Sequence, residues 1–178
     1  MAVYTMTIAG CTRDLPICPI NEHLDLAGFV MFGDIEITEA CAKALVEKCP
    51  EHDVIVTAES KGIPLAQEMA RIGCRRYVVT RKGIKAYMTD PISVTVKSIT
   101  TANVQKLYLS QEDCEHLKGK RVLVVDDVIS TGESLAAIEE LLKQVDCEIV
   151  GKACVLAEGD AQDRDDIIYL EPLPLFFK

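Results

Sequence analysis

The residues best suited to ligand binding or catalysis lie in the stretch VLVVDDVISTGES, residues 122–134, where two carboxylates separate an aliphatic run from a loop of small residues. The aliphatic run predicts a buried strand. Asp126 and Asp127 follow it at the position where ligands gather in an open parallel sheet, at the carboxyl ends of the strands. Carboxylate oxygens there could accept hydrogen bonds from the vicinal hydroxyls of a sugar.

The loop after the two carboxylates has the composition of an anion site. Glycine permits a close backbone approach, and successive N–H groups together with a helix N-terminus favour a phosphate group. Each feature alone is typical of an ordinary helix start, but their order along the chain predicts a clamp for a ribose 5-phosphate. No Lys follows the glycine, which excludes the loop of the nucleoside triphosphatases. The predicted phosphate-binding residues are Ser130, Thr131, Gly132, Glu133 and Ser134.

The elements that must position these residues alternate along the chain. Several predicted strands are apolar at consecutive positions, as expected when helices cover both faces of a sheet. This pattern predicts a single α/β domain over residues 1–178, with a mainly parallel central sheet flanked by helices. The predicted strands are residues 54–57, 76–80, 121–126 and 148–157, and the predicted helices are residues 38–48, 64–72 and 131–144.

Two regions lie outside this alternation. Residues 81–120 contain no convincing helix, and within them residues 93–99 and 106–109 alternate like an antiparallel pair joined by a turn at 100–103, so we expect a β-arm or flap. Residues up to 33 and from 167 onward are too irregular for the sheet core. We therefore expect segments 1–33 and 158–178 to combine as a small cap.

The composition limits the possible partners. The chain has 178 residues, of which 49% are hydrophobic and 26% charged, and these values suit one globular domain. A net charge of −9 argues against nucleic acid as a partner. No apolar run has the length of a membrane span and residues 1–10 lack a signal peptide, so we expect no membrane partner and a cytoplasmic location. The eight cysteines contain no Cys-x-x-Cys pair, which favours reduced, core-type cysteines over zinc or disulfides.

Residues 122–134 resemble the phosphoribosyl pyrophosphate (PRPP) motif of the type I phosphoribosyltransferases, and the resemblance extends over most of the chain, towards the purine enzymes. It implies displacement of pyrophosphate from PRPP by a nitrogen base, with Mg²⁺ as cofactor. In this family Asp126 and Asp127 would hold the ribose hydroxyls, directly or through metal-bound water, while PRPP itself holds most of the Mg²⁺. The resemblance also implies a homodimer.

The resemblance extends to a pyrophosphate site. The loop Glu-Ser-Lys-Gly at residues 59–62 is similar to the family's pyrophosphate loop, and the basic pair after the next strand resembles a second clamp on pyrophosphate. Basic residues that are simply exposed to solvent, without a ligand, are an equal alternative for each. Positive charge there would stabilise the leaving oxygens. The implied pyrophosphate-binding residues are Ser60, Lys61, Gly62, Arg81 and Lys82, with Lys82, Asp126 and Asp127 as the catalytic set and Lys97, Ser98 and Thr100 as loose candidates in the flap.

The base is predicted from fewer residues. The chain resembles adenine phosphoribosyltransferases, yet the loop at residues 59–62 lacks the Arg-Gly of those enzymes. Residues 81–111 also lack the Glu that those enzymes usually carry in the flap. Residues 20–25 are similar to the base-capping segment of xanthine enzymes, in which Asn21 would contact the purine. Glu158 stands where xanthine enzymes have Lys, and a carboxylate favours an exocyclic amine over a carbonyl. Adenine is therefore favoured, with xanthine or guanine as the alternative.

A protein of another class remains possible on the sequence: a non-catalytic regulator that binds PRPP through the same loop. Such regulators carry a DNA-binding domain before the PRPP domain, whereas residues 1–33 precede the first predicted core helix here. The retained Lys61, Arg81 and Lys82 favour an enzyme, because a sensor has no need to expel pyrophosphate.

Overall fold

The structure is a computed structural model that describes residues 2–97 and 104–178. Its strands are β1 (Val3–Ile8), β2 (Cys11–Pro19), β3 (Leu24–Ala27), β4 (Val54–Ala58), β5 (Tyr77–Thr80), β6 (Ile92–Lys97), β7 (Val104–Leu109), β8 (Arg121–Ile129), β9 (Glu148–Glu158), β10 (Ile168–Leu173) and β11 (Leu175–Phe177). Its helices are α1 (Ile35–Lys48), α2 (Ile63–Ile72), α3 (Gln111–Leu117) and α4 (Glu133–Leu142), and a 3-10 turn spans Gly159–Asp163.

Five parallel strands form the central sheet in the order β10-β9-β8-β4-β5. The central strand β8 sends Val122 and Val124 into one hydrophobic cluster with α4, and Leu123 and Val125 into another with α1 and α2. Because successive side chains of a strand point to opposite faces, helices on both faces require a continuous apolar run. The predicted α/β fold with a mainly parallel sheet is confirmed.

A second sheet is antiparallel and joins the two ends of the described chain. Its order is β1-β2-β3-β11, with Leu26 opposite Leu175. The expectation that residues 167–178 lie outside the core is wrong for β10, which pairs with β9 in the central sheet. As an edge strand β10 needs few buried side chains and tolerates Pro172, so its sequence pattern is weak.

The region between β5 and β8 contains the expected arm and one further helix. Strands β6 and β7 pair antiparallel, and Arg81 forms an isolated bridge to Tyr108 at the base of the arm. The predicted turn at 100–103, together with Ser98, Thr100 and the side chain of Lys97, lies outside the described residues. The prediction of no helix in residues 81–120 is wrong: α3 begins after Ser110, whose hydroxyl accepts a hydrogen bond from Asp113 N at 3.1 Å. Only Leu117 of this short helix is buried, so it has no apolar stripe to detect.

The apolar runs and the cysteines of the sequence can be compared with the structure. No helix among the described residues is long and apolar enough to cross a membrane. All eight cysteines are free, as expected, but only Cys41 and Cys154 are buried, and the other six are half-buried. Five of the half-buried cysteines, Cys11, Cys49, Cys74, Cys114 and Cys147, still pack against the two hydrophobic clusters, so core packing involves seven of the eight.

Candidate active site

The two adjacent carboxylates lie on β8, before its last residues rather than after its end. Val128 and Ile129 continue the strand because they still pair with β9, opposite Leu156 and Ala157. The predicted strand end at residue 126 is therefore three residues too early. This register holds Asp126 and Asp127 within the extended backbone of the strand.

Asp127 is buried and Asp126 is half-buried, and one of the two carboxylates has an open acceptor. Asp126 Oδ1 accepts a hydrogen bond from Asp127 N at 2.9 Å, and burial, followed by the nearby Asp127 charge, raises the pKa of Asp126. Asp127 is 3% exposed, and its Oδ2 has no hydrogen-bond partner among the described residues. Lys61 Nζ lies 3.6 Å from this oxygen. The pair can therefore accept hydrogen bonds from a ligand that brings hydroxyl groups or positive charge.

The loop between β8 and α4 encloses a cavity of about 200 Å³. Gly132 has a φ of +76°, a left-handed conformation that favours glycine, and it precedes the first residue of α4. The helix predicted over residues 131–144 begins two residues later, at Glu133, so Ser134 lies in the first turn of α4. The lining of the cavity includes Asp126 and all five predicted phosphate-binding residues, namely Ser130, Thr131, Gly132, Glu133 and Ser134.

The arm adds a residue to this cavity that we did not predict. Gln105 of β7 lines it, and Ser134 Oγ lies 3.5 Å from Gln105 Oε1. The sequence contained a usable indication, because Gln105 shares the inward strand face with the buried Leu107 and Leu109. A polar residue at an inward position of an arm is a candidate for ligand contact.

The predicted pyrophosphate loop, residues 59–62, lies between β4 and α2 and contacts the carboxylates. The peptide bond between Glu59 and Ser60 is cis. A Cβ atom on Gly62 would lie 2.3 Å from Thr57 Oγ1 and 3.0 Å from Asp126 Oδ1, so the loop backbone packs directly against Asp126. The structure thus places Lys61 and Gly62 next to the two carboxylates.

Glu59 joins this loop to the basic residues after β5. Its Oε2 accepts a hydrogen bond from Lys82 N at 2.9 Å, while Arg81 Nη2 and Lys85 Nζ lie 3.5 Å and 3.6 Å from its Oε1. The hydrogen bond from Lys82 N is the main cause that lowers the pKa of Glu59. Arg81 and Lys82 therefore lie beside the pyrophosphate loop, and Lys85 is a neighbouring cation that sequence reasoning missed.

A second cavity, of about 320 Å³, opens on the other side of Ser130 and Thr131. Leu24, Leu26 and Leu175 of the antiparallel sheet form its apolar walls. An apolar cavity of this kind suits a flat heterocycle when a few polar groups fix its orientation.

Two carboxylates supply polar groups in this second cavity. Glu158 is 8% exposed, and burial raises its pKa while Lys61 opposes the shift. Asp160, which we did not predict, also lines the cavity. Asn21 does not line it: its Oδ1 accepts a hydrogen bond from His23 N at 2.8 Å in the turn before β3. The structure therefore brings Glu158 to the cavity and does not bring Asn21.

The donor atoms available for Mg²⁺ are few. The described ranges contain no group of three or more His, Cys, Asp or Glu side chains that could hold a metal ion. Asp126 and Asp127 offer carboxylate oxygens, including the unpartnered Oδ2 of Asp127. Mg²⁺ usually binds one or two carboxylates together with substrate phosphates and water. These residues fit an ion that a phosphorylated ligand holds in large part.

Fold and site together define an α/β protein whose ligand cavities lie at the carboxyl ends of parallel strands. More particularly, the chain belongs to the phosphoribosyltransferase family, because the family model for the phosphoribosyl transferase domain matches residues 33–173. This match includes β4 to β10 and all of the loops described above.

Curated relatives carry the names of purine proteins. The chain is 38% identical over 112 residues to a hypoxanthine/guanine phosphoribosyltransferase of Methanococcus voltae, covering 63% of this chain and 56% of that protein. It is 32% identical over 158 residues to the protein of the same name from Methanothermococcus okinawensis, covering 84% and 82%. A probable purine biosynthesis transcriptional regulator of Streptococcus pneumoniae is 27% identical over 147 residues, covering 78% and 52%. For the Methanococcus voltae protein and the regulator, the match spans about half of the relative's length.

Solved structures of adenine phosphoribosyltransferases have the same fold. The structure of the enzyme from Thermoanaerobacter pseudethanolicus superposes with a TM-score of 0.73 at 19% identity, covering 89% of this chain and 95% of that chain. At this identity the likeness supports the architecture alone.

Proposed function

We propose that the protein is a purine phosphoribosyltransferase, which transfers the 5-phosphoribosyl group of PRPP to a purine base and releases pyrophosphate. One observation carries this proposal: Ser130 and Thr131 line both the phosphate-loop cavity and the apolar cavity. A phosphorylated sugar in the first cavity and a base in the second would therefore lie side by side, with the loop between them.

The donor would bind across the end of β8. Loop N–H groups and the hydroxyls of Ser130, Thr131 and Ser134 would hold the 5-phosphate at the N-terminus of α4. Asp126 and Asp127 would accept hydrogen bonds from the ribose hydroxyls, and the burial of Asp127 would strengthen the bonds to its carboxylate.

Cleavage at C1 builds positive charge on the ribose and negative charge on the leaving pyrophosphate. Lys61 and Arg81 would contact the leaving oxygens, and Lys85, which lies beside Arg81 on Glu59, would add positive charge nearby; the side chain of Lys82 is proposed for the same role. When bound, Mg²⁺ would supply further positive charge to the phosphate oxygens. The base waits as the nucleophile, so the protein mainly positions the reactants and stabilises charge.

Adenine is the base that the second cavity favours. Glu158 and Asp160 are acceptors for an exocyclic amine, and the lining residues described for this cavity include no Lys or Arg to meet a carbonyl. Guanine, whose 2-amino group is also a donor, is the alternative, and the curated relatives named for hypoxanthine and guanine support it. Xanthine is disfavoured by the same carboxylates.

The test is to incubate the protein with PRPP, Mg²⁺ and, separately, adenine, guanine, hypoxanthine, xanthine, uracil and orotate, and to measure the nucleotide and the pyrophosphate formed. We expect turnover with purines and the highest kcat/KM with adenine. No turnover with any base would refute the enzyme proposal. Glu158→Lys should shift preference towards purines with carbonyl groups, and an unchanged preference would refute the role of Glu158.

The match to the Streptococcus pneumoniae regulator supports a second candidate, a PRPP-binding regulator without catalysis. The same experiment separates the two candidates. PRPP binding by calorimetry, without pyrophosphate formed from any base, would favour the regulator.

We also propose that the protein is a homodimer. Val30, Phe32 and Ile35 are large apolar side chains that are each more than half exposed around the start of α1. Neighbouring exposed apolar side chains favour burial against another protein surface. Sedimentation equilibrium should give twice the chain mass, and Phe32→Glu should shift the protein towards the monomer.

A further inference from the structure

Arg164 contacts the phosphate loop from outside the phosphate cavity. It follows the 3-10 turn Gly159–Asp163 and is absent from the cavity lining. A Cβ atom on Gly132 would lie 2.5 Å from Arg164 Nη1 and 3.8 Å from its Cζ. The guanidinium therefore occupies the space that a side chain at residue 132 would need, and it packs on the turn whose backbone is left-handed.

The orientation of Arg164 is fixed by a chain of ion pairs. Its Nε and Nη2 donate to Asp166 Oδ1 and Oδ2 at 2.8 Å and 2.7 Å, which leaves Nη1 to face Gly132. Lys152 Nζ donates to Asp166 Oδ2 at 2.7 Å and to Glu139 Oε1 at 2.8 Å. The contacts run from the turn to β9 and on to α4, the helix that the loop begins.

We propose that Arg164 is a positioning residue of the phosphate loop: its guanidinium, oriented by Asp166, packs on Gly132 and holds the loop in the conformation that binds a sugar 5-phosphate. This inference rests on the proposed function. A planar guanidinium with a bidentate carboxylate partner has few alternative positions, so it can restrict a loop that a flexible ammonium would leave free.

Arg164 affects phosphate binding mainly through the position of the loop rather than through its own charge. Two cations, Arg164 and Lys152, accompany two anions, Asp166 and Glu139, so the cluster is neutral as a whole. A neutral cluster contributes little long-range attraction for a phosphate group. Removal of Arg164 should therefore weaken phosphate binding through the loop geometry, and added salt should change the size of this effect little.

The chain offers a matched control at the opposite end of the sheet. Arg121, the first residue of β8, donates its Nη2 and Nε to the two carboxylate oxygens of Asp53 at 3.0 Å and 3.3 Å. This pair resembles the pair of Arg164 and Asp166 but lies away from both cavities. A general loss of an ion pair would affect the two variants alike.

The experiment measures, by calorimetry, the binding of ribose 5-phosphate and of pyrophosphate to the wild type, Arg164→Met, Arg164→Lys and Arg121→Met. We expect Arg164→Met to raise the Kd for ribose 5-phosphate about tenfold, because a displaced loop would lose about one hydrogen bond to the phosphate, and to leave the Kd for pyrophosphate unchanged. Arg164→Lys should restore only part of the affinity because it cannot make the bidentate pair. Arg121→Met should change neither Kd.

Two outcomes would overturn the inference with the proposed function intact. One is a normal Kd for ribose 5-phosphate in Arg164→Met, and the other is an equal loss of affinity for both ligands. Failure of the wild type to bind ribose 5-phosphate and PRPP would instead overturn the proposed function and this inference together.

A double-mutant cycle covers the case in which Arg164→Met fails to fold. Asp166→Asn keeps the guanidinium but weakens its orientation, and Gly132→Ala places a methyl group against Nη1. If Arg164 acts through Gly132, the two substitutions should combine with a smaller loss of ribose 5-phosphate affinity than the product of their separate effects. Independent effects would overturn the proposal.

Discussion

Lys61 Nζ lies 3.6 Å from Asp127 Oδ2, so the loop after β4 meets the carboxylates of β8 through a cation and a buried anion. Lys61 is half exposed, whereas Asp127 is almost completely buried. A ligand with hydroxyl groups for Asp127 and phosphate oxygens for Lys61 would separate the two charges and satisfy both. The contact therefore relates the sugar side of the proposed site to its leaving-group side.

Asp127→Asn tests the sugar side. The amide keeps the shape of the carboxylate but gives a weaker acceptor at an atom that has no other hydrogen-bond partner among the described residues. Loss of one hydrogen bond to a charged group corresponds to roughly a 10- to 100-fold fall in kcat/KM for PRPP. Steady-state kinetics at saturating base measure the fall, and thermal unfolding should show a retained fold. Unchanged kinetics would remove the carboxylate from the site.

Gly62→Ala tests the close packing of the pyrophosphate loop. The added methyl group would overlap Thr57 Oγ1 and press on Asp126 Oδ1, so we expect a loss of unfolding free energy of about 1–3 kcal/mol and lower activity. Gly83→Ala is the control, because no heavy atom lies within 4 Å of its Cβ position. Urea denaturation of both variants measures the difference. Adding Thr57→Ala to Gly62→Ala should recover part of the stability, and equal stabilities of the two glycine variants would contradict the packing.

Glu59→Gln tests the contact between the pyrophosphate loop and the basic residues after β5. A neutral amide holds Arg81 and Lys85 less firmly, so product inhibition by pyrophosphate should weaken about threefold to tenfold if the carboxylate positions these cations. The control is Glu68→Gln, which breaks the pair with Arg71 on α2. Inhibition constants that stay equal to the wild-type value in Glu59→Gln would show that its three contacts do not position the cations.

Glu158 predicts a pH dependence of stability in the ligand-free protein. Burial raises its pKa above the ordinary 4.5, so the folded state binds the proton more tightly than the unfolded state. The contribution of Glu158 to the unfolding free energy therefore falls as pH rises from about 4.5 through the folded pKa, by up to about 1.4 kcal/mol per pH unit. Glu158→Gln removes this fall, so its stability relative to the wild type should increase with pH across that window. If the stability curves of Glu158→Gln and the wild type run parallel from pH 4 to pH 8, the Glu158 carboxyl does not have a raised pKa in the folded state.

The parts of the structure that follow from local sequence were predictable. The apolar run of β8 and the helical apolar stripe after Gly132 are each clear in the sequence, and Gly132 marks the boundary between them. The strand, the loop and the carboxylates could therefore be assigned together. The edge strand β10 and the short helix α3 were missed for the opposite reason. An edge strand or a two-turn helix buries little surface, and its pattern is correspondingly weak.

Residues that act across the fold were harder to find. Gln105, Asp160 and Arg164 are distant from residues 130–134 in sequence. Gln105 reaches that loop because β7 packs against α4, and the other two reach it because they lie between the paired strands β9 and β10. Asn21 shows the reverse case, since its motif resemblance was specific but its side chain is used within its own turn. Local pattern identifies the loop, and tertiary packing decides its partners.

The apolar cavity is walled by β3 and β11, while the phosphate loop and the carboxylates belong to β8 and α4. Under the proposed function, substitutions in these two short strands of the antiparallel sheet would therefore change the base that binds and leave the binding of the sugar phosphate unchanged. If the protein transfers a sugar phosphate as proposed, this division would let new acceptors arise by small steps, each compatible with an intact donor site, and β3 and β11 would be the first places to engineer a change of base.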